Sequence, residues 1–150
     1  MFNDDEFLRR LGTECINNLV QDEDVVFFYE KPDNDRVKLL VLYCAEEDIE
    51  LNVSACNALV QLTEISEKIC QKIVDISSFT STFQQCINSE EPELQIRGLN
   101  VLKNIASKNK ILSSFIADSE LHDSIIELKN SEEEQVKNLA IEIENIILKE

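Results

Sequence analysis

Gly98-Leu99-Asn100-Val101-Leu102-Lys103-Asn104-Ile105-Ala106 is the stretch that decides how the whole chain is read. Its apolar residues fall three and four apart, the spacing of one face of an α-helix. The same design stands 43 residues earlier as Ala55-Cys56-Asn57-Ala58-Leu59-Val60-Gln61-Leu62-Thr63, and 43 earlier again from Gly12 to Val20. Four series follow this step, the first two closing on an interval of 41: Ile16, Leu59, Leu102 and Ile143; Leu19, Leu62, Ile105 and Ile146; Val26, Ile69 and Leu112; and the small residues Gly12, Ala55 and Gly98. A helix recurring at such a period is one layer of a stack, because a single layer leaves its apolar face uncovered until a neighbour packs on it.

Working outward from these helices, apolar periodicity and polar breaks predict ten helices. They run over about 5–20, 23–30, 34–46, 49–64, 66–75, 78–88, 92–107, 109–118, 120–130 and 132–149. Pro92 suits the first turn of a helix, where its missing N–H costs nothing, with Ser89 placed to cap, and Pro32 sits in a turn between two helices. The unit is a short helix, a middle helix and a longer third helix, and a period of about 40–47 residues belongs to solenoids of the armadillo and HEAT kind. The expected fold is therefore all-α: a right-handed armadillo-type solenoid of about three and a half repeats, with residues 1–150 as one segment and no second domain. The chain opens on a third-type helix, so it is expected to be the C-terminal end of a larger solenoid, with the last helix as the true C-terminus.

Composition agrees with this reading. Fourteen Lys+Arg against 30 Asp+Glu give a net charge of −16, which argues against nucleic-acid partners and anionic membrane surfaces. Two Gly and two Pro leave few sites for hairpins or phosphate-cradling loops. The longest apolar run, Leu39 to Ala45, is far shorter than the ~20 residues a bilayer span needs. The five Cys (15, 44, 56, 70 and 86) form no Cys-x-x-Cys pair, and the odd count cannot close fully into internal disulfides. Each has apolar neighbours and is expected to pack as a small hydrophobe in a reducing, cytoplasmic setting.

Candidate chemistry is sparse. His122 is the single His, expected at the surface in the first turn of a helix, with no serine elbow or cysteine partner at a motif spacing. No metal-ligand spacing or calcium loop occurs, so the reading is a binding module, with neither an enzyme activity nor a cofactor or metal expected. Three acidic clusters, Glu46-Glu47-Asp48, Glu90-Glu91 with Glu93, and Glu132-Glu133-Glu134, stand at the starts of third helices. There, carboxylates stabilise exposed N–H groups by ~0.3–1 kcal/mol each.

The end of each third helix carries an in-register amide, Asn18, Gln61, Asn104 and Asn145, each followed by a Leu or Ile of the repeat series: Leu19, Leu62, Ile105 and Ile146. This resembles the armadillo signature, in which an Asn before an aliphatic residue faces a groove. A ladder of amides can hold an extended peptide backbone without demanding its sequence. One turn earlier stand Glu14, Asn57, Asn100 and Ile141, where armadillo proteins of the nuclear-import class typically have Trp. The expected partner-binding groove is thus Asn18, Asn57, Gln61, Asn100 and Asn104, with Arg97 adding a charged contact.

Several stretches together resemble the C-terminal part of UCS-domain myosin chaperones. They are Gly12 to Val20; Asn34-Asp35-Arg36-Val37-Lys38-Leu39-Leu40-Val41-Leu42-Tyr43-Cys44 with the acids Glu46 to Asp48; Ser54 to Leu59 with Leu62-Thr63; Lys68-Ile69-Cys70; and Arg97-Gly98-Leu99. The resemblance covers roughly residues 7–120 and is most specific over Asn34 to Asp48. It implies a cytoplasmic chaperone whose armadillo solenoid cradles the myosin motor domain for folding and assembly, in muscle above all. Animal members of that family also carry a tetratricopeptide domain that recruits Hsp90, which has no counterpart in these 150 residues. The alternative is a general armadillo scaffold or adaptor without chaperone action.

Overall fold

The computed structural model describes residues 6–19 and 22–149. Ten α-helices follow one another: α1 (Glu6–Leu19), α2 (Glu23–Glu30), α3 (Arg36–Tyr43), α4 (Ile49–Ile65), α5 (Glu67–Val74), α6 (Phe79–Ile87), α7 (Pro92–Ala106), α8 (Lys110–Ala117), α9 (Glu120–Leu128) and α10 (Glu134–Leu148). Among the described residues there is no strand. Each expected helix is present, with ends displaced by a few residues.

Local chemistry explains most boundaries. Asp48 caps α4 by accepting from the N–H groups of Glu50 and Leu51, Asp22 caps α2 through Asp24, and Asn109 caps α8 through Leu112. Ser66 closes α4 and opens α5 at once, its Oγ accepting from the Ile69 N–H. Pro92 begins α7. Of the three acidic clusters, side-chain capping is made only at Asp48. The carboxylates of Glu91 and Glu133 make no cap hydrogen bond; instead Ser89 and Ser131 accept from the Glu91 and Glu133 N–H groups at 3.1 and 3.2 Å. The expected helix over 34–46 starts later because Asn34 is committed to the junction. Its Oδ1 accepts from the Arg36 N–H and its Nδ2 donates to the Phe28 carbonyl, both at 2.9 Å.

The helices assemble into layers: α2, α3 and α4; α5, α6 and α7; α8, α9 and α10; and α1 as a lone third helix before them. Third helices stack α1 on α4, α4 on α7 and α7 on α10, while α3, α6 and α9 and then α2, α5 and α8 follow in two parallel rows. The repeat series of the sequence become the core. Leu59, Leu102, Ile143, Leu62, Ile105 and Ile69 are fully buried, with Leu112 and Val26 nearly so. Phe79 and Phe83 pack at 5.2 Å between ring centres. Gly98 is required by close approach: a Cβ there would stand 3.0 Å from the Cys86 Cβ and 3.2 Å from Ile87 Cγ2, so a side chain would push α6 off α7.

Side chains also tie layer to layer. Lys72 on α5 donates to the carbonyls of Tyr29, Lys31 and Asn34 at 2.9, 2.8 and 3.0 Å, closing the end of α2 in the previous layer. Ser66 donates to Glu30 at 2.6 Å, and Lys108 to the Glu64 carbonyl at 2.7 Å.

The cysteines divide. Cys44, Cys56, Cys70 and Cys86 are buried as expected, and the Sγ atoms of Cys56 and Cys86 touch at 3.9 Å. Burial pushes the Cys44 thiol well up and the Cys70 thiol to about 11, the state of an unreactive core thiol. Cys15 departs from the expectation and is exposed. His122 lies in the first turn of α9 but is half-buried, and its Nε2 is enclosed without a hydrogen-bond partner.

Candidate functional site

The third helices and the segments leading into them line two grooves. The first, about 570 Å³, lies among α1, α4 and α7, and its walls include Glu14, Asn17, Ile49, Glu50, Val53 and Ser54 together with Asn57, Glu91, Glu93 and Arg97. The second, about 530 Å³, lies between α7 and α10 and is lined by Asn100, Lys103, Glu133, Glu134, Gln135, Asn138, Leu139 and Glu142. Parallel helices in register place residues one layer apart side by side, which brings side chains distant in sequence to one face.

In the first groove a short amide chain bridges α1 and α4. Asn57 Nδ2 donates to Asn17 Oδ1 at 3.2 Å, and Asn17 Nδ2 donates to the Ser54 carbonyl and hydroxyl at 3.1 and 3.0 Å. Glu14, Glu50, Glu91 and Glu93 face this groove against one cation, Arg97, so its potential is negative. Two of the four carboxylates are partly balanced: Glu50 accepts from Arg10 at 2.6 Å, and Glu93 pairs with Arg97 at 3.5 Å one turn away. Arg10 also grips the Asp48 carboxylate at 2.5 and 2.8 Å, fixing the start of α4 against α1. In the second groove Lys103 reaches Glu142 at 3.3 Å. Pairs this open to solvent contribute little stability and leave the carboxylates available for exchange with another cation.

The expected groove residues fall into three situations. Asn57 and Arg97 line the first groove and Asn100 the second. Asn100 Nδ2 is bonded to the Ile96 carbonyl one turn back, at 2.9 Å. Asn104 is turned to the stack, donating to the Val60 carbonyl and the Thr63 hydroxyl of α4, both at 3.1 Å. Gln61 is half-buried with its Oε1 enclosed and unbonded, and Asn18 is exposed on α1. Neither lines the two grooves. Asn17 was missed, because the repeat step aligns it with Val60 and Lys103 rather than with another amide. Its partners stand 40 and 37 residues on, the offset between facing turns of neighbouring helices.

Among the described residues no group of three His, Cys, Asp or Glu could hold a metal ion, and no helix is long and apolar enough to cross a membrane. His122 is on α9 and lines neither groove.

Layers of three helices stacked through their third members define an armadillo-type helical solenoid. Computationally designed armadillo repeat proteins share this fold, with a TM-score of 0.86 over 97% of the chain at 14% identity. No family model matches the chain. Protein unc-45 homolog B of Mus musculus is 31% identical over 142 residues, 94% of this chain and 15% of that protein. UNC-45 from Drosophila melanogaster superposes with a TM-score of 0.92 at 26% identity, covering 99% of this chain and 19% of that one. The C. elegans myosin chaperone UNC-45, solved with an Hsp90 peptide, superposes with a TM-score of 0.84 at 28% identity over 97% of this chain and 16% of that one. The chain belongs with the UNC-45 proteins and spans about 15% of the length of the curated relatives it matches.

Proposed function

We propose that this chain is a myosin-binding chaperone segment that holds part of the motor domain along its third-helix grooves during folding and assembly, without chemistry, in the cytoplasm. The observation that carries the reading is the polar groove face. Asn17, Asn57 and Asn100 offer amide donors and acceptors to an extended backbone, and Arg97 with the surrounding carboxylates supplies charged contacts at short range. Beyond ~8 Å at physiological salt the field of the acidic chain is screened, so contact chemistry in the groove sets the choice of client. The homology supports the same reading, since an UNC-45 chaperone with molecular features critical for binding and folding muscle myosin superposes on the chain with a TM-score of 0.91 at 29% identity. Hsp90 belongs to this proposal only as a partner of the longer relatives. Of the expected contacts, Asn57, Arg97 and Asn100 are assigned to the client, with Asn17 added. Asn18, Gln61 and Asn104 are assigned to the rim and to the stack.

Titration of a myosin motor domain with the chain tests this. The expected result is saturable binding that weakens when Asn57, Arg97 and Asn100 are changed together to Ala while the helical signal is kept. Equal binding by the triple variant refutes the groove assignment. Suppression of heat-induced myosin aggregation separates a chaperone from a passive adaptor, which would bind and leave aggregation unchanged.

A further inference from the structure

The client grooves leave one group of side chains unused, the thiols at the seam between the first two complete layers. Cys44 caps the end of α3, Cys56 lies in the middle of α4 and Cys86 in the last turn of α6, and all three are buried. Cys56 Sγ donates to Cys86 Sγ at 3.9 Å, from one layer to the next. Cys86 Sγ also stands 3.4 Å from the Cys44 carbonyl, whereas the Cys44 thiol turns back on its own helix to the Leu40 carbonyl at 3.2 Å. The facing pair is therefore Cys56 and Cys86. Packing does not demand sulfur there. In the next two layers the corresponding places hold Leu99, 43 residues after Cys56, and Leu128, which follows buried Ile125 as Cys86 follows buried Phe83. We propose that Cys56 and Cys86 form a reversible disulfide, a redox tie that locks α4 to α6 in the presence of hydrogen peroxide.

The surroundings supply the chemistry. Val53 and Asn57, helical neighbours of Cys56, line the first groove, so the seam lies directly behind it. Arg97 lines the same groove, its Nε is enclosed without a hydrogen-bond partner, and its charge favours the ionised form of Cys56. Hydrogen bonding with Cys44 first and Cys56 second holds the Cys86 thiol below its ordinary value, which makes Cys86 the attacking sulfur. Its thiolate takes one peroxide oxygen, the O–O bond breaks, and the departing hydroxide leaves as water with the proton Cys86 gave up. The Cys56 sulfur then attacks the resulting sulfenic acid, the S–O bond breaks, and a second water leaves with the Cys56 proton. Two thiols and one peroxide thus give one disulfide and two waters, the sulfurs closing from 3.9 Å to the ~2.05 Å of the bond. Peroxide, little larger than water, reaches the pair through local opening of the seam that does not admit a maleimide.

The test uses the full chain with Cys15→Ser, which removes the exposed thiol and with it bridges between chains. Hydrogen peroxide without denaturant should remove two hydrogens from its mass, and a non-reducing digest should yield one peptide pair, joined through Cys56 and Cys86. Dithiothreitol should undo both. The oxidised chain should melt roughly 5–15 °C higher than the reduced one, since the bridge constrains the unfolded state. Cys86→Ser should lose the bridge and the shift together, while Cys44→Ser and Cys70→Ser should keep them. The peptide map of the chain with all four buried thiols decides the assignment without any core substitution. Sulfinate in place of a disulfide, a bridge to Cys44 or Cys70, a bridge formed only above the urea midpoint, or an oxidised chain that melts no higher overturns the inference. No myosin enters these measurements, so their outcome is independent of the client reading.

Discussion

Lys72→Met removes one ammonium and keeps nearly all of the aliphatic stem, so it isolates what that charge does at the end of α2. The ammonium is half-buried and donates to three carbonyls, those of Tyr29, Lys31 and Asn34, at 2.8 to 3.0 Å. A hydrogen bond from a charged donor is worth ~1.5–3 kcal/mol net. The three bonds here share one donor, and the carbonyl of exposed Lys31 regains water once released. Buried Tyr29 and Asn34 rehydrate less readily. The expected loss is about 2–3 kcal/mol in all, less than three independent bonds would give. For a chain of this size that corresponds to a fall in melting temperature of about 4–12 °C. Urea and thermal unfolding followed by circular dichroism measure it, and amide exchange should show the loss concentrated in α2. Lys72→Arg should fall between, because a planar guanidinium cannot converge on three carbonyls as a point charge does. A Met variant within ~0.5 kcal/mol of the parent would refute the assignment of Lys72 as the tie between the first two complete layers.

Three other perturbations probe different parts of the stack. Leu102→Ala, at a fully buried site in α7, should cost ~2–5 kcal/mol and lower the urea midpoint with little change in slope; no change would mean that the repeat register is wrong. The Glu30 carboxyl is held below its ordinary value first by the Ser66 hydroxyl and also by Lys68. With the folded value depressed, its contribution is present above the ordinary value of 4.5 and is lost as pH falls through the folded one, so the stability gap to Glu30→Gln should be widest near neutrality and close in acid. Maleimide should label one thiol per folded chain, Cys15, and the other four only on unfolding; a second thiol labelled at the same rate would contradict their burial.

Helix existence was legible because the apolar period, the caps and the two prolines agreed locally. Asp48, Ser66 and Pro92 mark their boundaries by chemistry that needs no tertiary context. The layer count followed from the 43-residue step, since buried positions such as Leu59 and Leu102 must recur with the layer. What the step could not convey is which turns of adjacent helices face one another. Asn57 meets Asn17, which is not its repeat equivalent, and Asn104 turns back on α4, because facing turns are offset by several residues from equivalent ones. Cys15 was misread for a related reason: its neighbours in sequence are apolar, but its burial depends on a helix from another layer. The half-burial of His122 likewise depends on packing that the spacing of α9 does not report.

Among the described residues, the side-chain bonds from layer to layer join residues no more than 44 apart, and helices in substantial contact belong to the same layer or to adjacent ones. Contact order is thus capped by the repeat, however long such an array grows. Ordering of one layer needs only its neighbour as a template, so folding can begin at any internal pair and spread in both directions. Fraying should follow the reverse path, with α1 and α10 opening well below the global transition while α4 and α7 hold to the end.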